Sequence, residues 1–129
     1  MARQKLFVSF DFDNDATLKM LLVNQSKHPD APFDIWDSSV KEHMLGDWQT
    51  KVKARMRNVD IVCVLCSTTT HTAKGVAIEL QIAKDMAKPY FLLWGYKDKT
   101  CTRPTTGSSA DKIYKWEWDV LKRLIHGDR

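Results

Sequence analysis

Short apolar runs alternate with stretches of helical period along most of this chain. Leu6 to Phe10 is apolar and ends in the acidic cluster Asp11, Asp13, Asp15, which reads as a buried strand feeding a loop. Leu18, Leu21, Leu22 and Gln25 follow at helical spacing and predict a helix over 15–27, broken by Pro29 and Pro32. Phe33 to Trp36 reads as a second strand. After a loop through Gly46, Asp47 is placed to cap a helix whose stripe is Trp48, Val52 and Met56. Ile61 to Cys66 is continuously apolar, as in a strand covered on both faces. A polar loop, 67–72, leads into an amphipathic helix over 73–87. Pro89 to Trp94 predicts a fourth strand. Gly95 to Ala110 is polar and turn-rich, and any short fifth strand is expected there. Tyr114, Trp118, Leu121 and Ile125 predict a last helix over 111–125.

Strands alternating with helices, with no hairpin signal between them, imply a parallel sheet covered by helices on both faces. The expected fold is therefore α/β, a flavodoxin-like three-layer sandwich of four to five parallel strands in the order 2-1-3-4. Residues 1–129 form one domain, with no internal repeat or linker. Ligands in such folds bind at the carboxyl ends of the strands. The loops that converge there begin at Asp11, Asp37, Ser67 and Gly95.

Glu79 stands out within the helix over 73–87. Its neighbours at three and four residues' spacing are Gly75, Val76, Ile82 and Ala83, so the carboxylate projects from the apolar face. A buried carboxylate is costly unless it is paired or hydrogen-bonded, so it is retained for a structural partner or for chemistry. Gly75, one turn earlier, is expected to leave open space over it.

Composition narrows the classes. With 43% hydrophobic and 28% charged residues the chain is an ordinary soluble domain. No apolar run approaches membrane-spanning length and the start lacks a signal-peptide shape, so a cytoplasmic protein is expected. Cys63 and Cys66 form a C-x-x-C, but odd spacing on a strand points them to opposite faces, as core residues. The four histidines show no ligand spacing. The net charge of +4 and the basic positions Lys51, Lys53, Arg55 and Arg57 read as solvated helix surface rather than a DNA-binding face. Asp11 and Asp13 after a strand, followed by Thr17-Leu18, resemble the D-x-D loop of magnesium-dependent phosphatases, and Asp15 lies beside them. They lack an acidic partner on a later strand, so no metal site is expected and they are assigned to capping or to ordering the loop.

Three boxes, in order, resemble the Toll/interleukin-1 receptor (TIR) domains. They are Phe7-Val8-Ser9-Phe10, then Ile61-Val62-Cys63-Val64-Leu65-Cys66-Ser67, then Glu79-Leu80. The chain is most similar to the short TIR-like proteins of bacteria and archaea, including the TIR component of Thoeris anti-phage defence. The resemblance implies cleavage of NAD at the nicotinamide–ribose bond, with Glu79 catalytic, NAD as substrate and no cofactor. It implies an ADP-ribose-derived signal, a downstream effector that senses it, and a homo-oligomer. Related enzymes carry W-x-x-x-E on this helix. Gly75 stands in place of that Trp, which leaves Trp36 or Trp94 as the stacking surface. Phe10 and Trp36 are candidates to stack on nicotinamide or adenine, Ser67 and His71 to reach ribose or phosphate, and Asp11 to line the site. Two alternatives stand beside this reading: a non-catalytic TIR-like interaction module, and a magnesium-dependent phosphatase-like enzyme.

Overall fold

A computed structural model describes residues 3–39 and 47–129. The sequence over 37–45, with the apolar Val40, Met44 and Leu45 beside Trp36, reads as an interface or a lid; of it, 40–45 fall outside the described residues. The five strands are β1 (Gln4–Ser9), β2 (Phe33–Ser38), β3 (Ile61–Cys66), β4 (Tyr90–Trp94) and β5 (Ile113–Lys115). The helices are α1 (Ala16–Ser26), α2 (Trp48–Met56), α3 (Lys74–Asp85) and α4 (Trp118–His126). All strand pairs are parallel and the order is β2-β1-β3-β4-β5, the expected flavodoxin-like arrangement. No helix among the described residues is long and apolar enough to cross a membrane.

The pleat of the strands divides the core in two. Leu6, Val8 and Phe10 of the first strand segment pack with Leu18 and Leu22 of α1 and Leu121 and Leu124 of α4. Phe7 turns to the other face and packs with Trp48, Val52 and Met56 of α2 and Val76 and Leu80 of α3. Cys63 lies in the first cluster and Cys66 in the second, as odd spacing on a strand requires. Burial pushes both thiols up, Cys63 well above its ordinary value. Gly95, just past β4, has a packing reason: a Cβ there would sit 2.5 Å from Leu18 Cδ1 and 2.7 Å from the Cys66 carbonyl oxygen.

Three expectations need correction. The fifth strand lies at Ile113–Lys115, not within 95–110. The last helix accordingly starts at Trp118, not at 111. Tyr114, Trp116 and Trp118 alternate with Lys115, Glu117 and Asp119, and this period of two is a strand signal that precedes the helix. In α1, Leu18 and Leu22 are buried but Leu21 is 50% exposed, because the i, i+4 pair alone meets the sheet.

Candidate functional site at the carboxyl edge of the sheet

Glu79 is 1% exposed. It reaches from α3 across the α2–α3 face to the carboxyl ends of β1 and β2. Its Oε1 accepts a hydrogen bond from Ser9 Oγ at 2.7 Å and another from Ser39 Oγ at 2.5 Å. The Ser39 hydroxyl in turn accepts from the Phe10 backbone N–H at 3.1 Å. The parity of β1 explains Ser9: it shares a face with Phe7, so it points toward α3 rather than α1. Ser39 follows the end of β2, and its backbone N–H still bonds the Val8 carbonyl. Both hydroxyls are buried with the carboxylate. The open space expected over Gly75 therefore does not expose the carboxylate, which is enclosed by its serine partners.

A second carboxylate lies on the opposite face. Asp15 is 2% exposed and its Oδ2 accepts from Ser67 Oγ at 2.8 Å. Ser67 follows β3, and its backbone N–H donates to Thr70 Oγ1 at 2.7 Å. Desolvation raises the Asp15 pKa above the usual carboxylate value, and the Ser67 hydroxyl opposes the shift without cancelling it. Asp15 occupies the N-cap position of α1 but makes no side-chain cap, so the capping expected of the aspartates is not its role. Asp11 does order the loop: its Oδ2 accepts from Asn14 Nδ2 at 2.8 Å and its Oδ1 from the Asp13 N–H at 3.3 Å. Among the described residues, no three His, Cys, Asp or Glu side chains gather as a metal site.

The third loop is tied to the segment after β4. Thr102 Oγ1 donates to the Ser67 carbonyl at 3.2 Å and lies 2.9 Å from His71 Nδ1. With that hydroxyl proton committed to the carbonyl, the ring N–H at Nδ1 donates to Thr102 Oγ1. His71 itself is exposed.

The sequence of an established family aligns with this geometry. The model of the family described as the Thoeris protein ThsB, TIR-like domain, matches residues 7–100. The chain belongs to that family. No curated protein matches it. Within the TIR-like domain, the match spans β1 through β4 and so includes Ser9, Ser39, Ser67 and Glu79.

The aromatic candidates are distributed differently from the expectation. Phe10 is a core residue, buried among Leu18 and Leu22, and cannot stack on a ligand without leaving that core. Its neighbour Phe12 is exposed, with ring centroids 6.0 Å apart. Trp36 is 54% exposed and is the extra residue of a bulge in the β1–β2 ladder, where Leu6 pairs with Ile35 and Phe7 with Asp37. Lys5 Nζ lies 4.4 Å from its ring centroid, so the indole stacks toward the amino end of β1. Trp94 bonds the Lys99 carbonyl and lines a groove beside β5. Neither indole is placed with Glu79 among the described contacts. Ser67 and His71 share one loop, joined through Thr102, on the side of the sheet edge held by Asp15 rather than by Glu79.

Sequence reasoning missed Ser9, Ser39, Asp15 as a buried group, and Thr102. Ser9 left a signal: a lone hydroxyl inside a five-residue apolar strand needs a buried partner.

Proposed function

We propose that this TIR-like domain cleaves NAD at the nicotinamide–ribose bond, as a member of a Thoeris-type anti-phage system in the cytoplasm. The observation that carries the reading is the Glu79 carboxylate, fixed at the carboxyl edge of a parallel sheet with two hydroxyls converging on one oxygen. In the reaction the C–N bond breaks, nicotinamide leaves as a neutral molecule with the electron pair, and the ribose becomes oxocarbenium-like. A carboxylate in a dry site stabilises that charge and accepts hydrogen bonds from ribose hydroxyls. Vicinal ribose hydroxyls present the same donors that Ser9 and Ser39 present now. Substrate binding then replaces the Ser39 hydroxyl, which belongs to the end of β2, while Ser9 stays as the fixed donor within β1. Water completes the reaction to ADP-ribose, or an internal hydroxyl closes a cyclic product, and a downstream effector senses the signal. The chemistry needs no metal or cofactor. Self-association belongs to the same proposal.

The enclosure of Glu79 favours a second reading, a non-catalytic interaction module in which the carboxylate clamps β1, β2 and α3 together. Incubation with NAD in the presence of EDTA separates the two. Nicotinamide release that Glu79→Gln abolishes, with the fold intact, supports the enzyme. No release at any protein concentration supports the module. Magnesium-dependent phosphatase activity would favour the phosphatase-like alternative over both.

A further inference from the structure

At the other end of the sheet, with three strands between it and β2, an open groove of about 850 Å³ runs between β5 and α4. Its volume falls in the range of small-molecule sites, about 300–1,000 Å³. Three aromatic side chains line it, Trp94, Tyr114 and Trp116. Both indoles are held in place by their ring N–H: Trp94 donates to the Lys99 carbonyl at 3.1 Å and Trp116 to Gln25 Oε1 at 2.7 Å. Their flat faces are therefore pre-oriented. Four cations share the lining, Lys97, Lys112, Lys115 and Arg123, against the two carboxylates of Glu117 and Asp128. The ion pairs among the described residues are made by Arg3, Lys51, Arg55 and Lys84, and none of the groove cations is among them. Lys112 instead lies 5.1 Å over the Tyr114 ring.

We propose that this groove is a nucleotide-binding site separate from the Glu79 site. A ligand with a planar ring and a phosphate satisfies both features of the lining: the ring stacks on a fixed indole or on Tyr114, and the phosphate collects the unpaired cations. An acidic peptide would use the charges but leave the fixed aromatic planes without a flat partner. The site does not depend on NAD cleavage and stands if Glu79 proves inert.

Calorimetric titration of the intact chain tests this with ATP and AMP, and with ribose 5-phosphate and inorganic phosphate as ring-free probes. Expected results are saturable ATP binding, ring-free phosphates at least about tenfold weaker, and unchanged ATP affinity in Glu79→Gln. The pair Lys115→Glu with Arg123→Glu should weaken ATP by about tenfold or more, since each removes a charge-assisted contact. Both residues are exposed, and Lys115→Ala and Arg123→Ala singly provide milder versions should the reversal disturb the fold. No ATP binding at millimolar concentration overturns the proposal, as does equal binding of inorganic phosphate. ATP binding lost in Glu79→Gln but kept in the groove variants assigns the nucleotide to the other site. Charge reversal that leaves ATP binding intact but changes sedimentation makes the groove a contact between copies of this chain, and likewise overturns it.

Discussion

Removing the Ser9 hydroxyl tests the central geometry directly. Ser9 and Glu79 are 0% and 1% exposed, and the hydroxyl donates to Oε1 at 2.7 Å. A hydrogen bond to a charged group contributes about 1.5–3 kcal/mol, so Ser9→Ala should cost about 2 kcal/mol. At about 4 °C per kcal/mol for a domain of this size, Tm falls by about 8 °C. Ser39→Ala should cost more, because the same hydroxyl accepts from the Phe10 N–H, and losing it leaves a buried backbone donor unpaired as well. The discriminating measurement is a double-mutant cycle by urea unfolding. In a Glu79→Gln background the Ser9 hydroxyl meets a neutral amide oxygen, and a neutral bond contributes about 0.5–1.5 kcal/mol. Ser9→Ala should therefore cost about 1 kcal/mol less there than in the wild type. Equal costs in the two backgrounds, or a wild-type cost below about 0.5 kcal/mol, would show that the hydroxyl does not support a charged carboxylate.

Three further outcomes follow from the same coordinates. Asp15→Asn should raise Tm at pH 7: a raised carboxylate pKa favours the folded state below the usual value of 3.8 and loses that contribution as pH rises through the folded pKa, so the gain over wild type shrinks on acidification. Asp111 behaves oppositely. Burial works to raise its pKa, but the Ser108 N–H, the Tyr90 hydroxyl and Lys84 outweigh it and hold the carboxyl below 3.8. Its contribution is present above that value and fades as pH falls through the lowered pKa, so Asp111→Asn should flatten the acid limb of the stability–pH curve. Gly95→Ala should cost about 1–3 kcal/mol in urea unfolding, since the Cys66 carbonyl oxygen is backbone and cannot swing aside as Leu18 can; an unchanged midpoint would mean the β4 end relaxes freely.

The sheet was legible because β3 and β4 are unbroken apolar runs, and β3 is buried at all six positions. Glu79 was legible because a carboxylate on an apolar helical stripe violates the pattern of its neighbours. Its partners were not, since Ser9 and Ser39 lie 70 and 40 residues away and only strand parity and sheet order bring them to one oxygen. The aromatic assignments failed for a related reason. A residue at the end of an apolar run is equally able to close the core or to face a ligand, and Phe10 closes the core. Trp36 was moved by a bulge, whose single extra residue redirects the side chain and leaves no mark in the hydrophobic pattern. At β5 the failure was one of reading: the apolar positions 114, 118, 121 and 125 fit a helical stripe, and the charged residues at 115, 117 and 119 fit a strand.

The carboxyl edge of the sheet thus carries two buried carboxylates, one on each face, each accepting from serine. They differ in what holds them. Asp15 has Ser67 as its hydroxyl donor, and desolvation dominates its titration. Glu79 has two donors whose positions are set by β1 and by the end of β2. A buried charge rarely returns its full desolvation cost in stability, so where a carboxylate does not also fix strand order, well-packed apolar side chains replace it at little cost. A carboxylate poised for a developing positive charge cannot be replaced in that way. The consequence separates the two proposed roles without any substrate. If Glu79 is held for chemistry, Glu79→Leu or Glu79→Met combined with Ser9→Ala, with Ser39 kept as acceptor for the Phe10 N–H, should give a domain as stable as the wild type or more so. If the clamp is its purpose, the same double replacement should lose strand order at β2 and unfold at lower urea than Ser9→Ala alone.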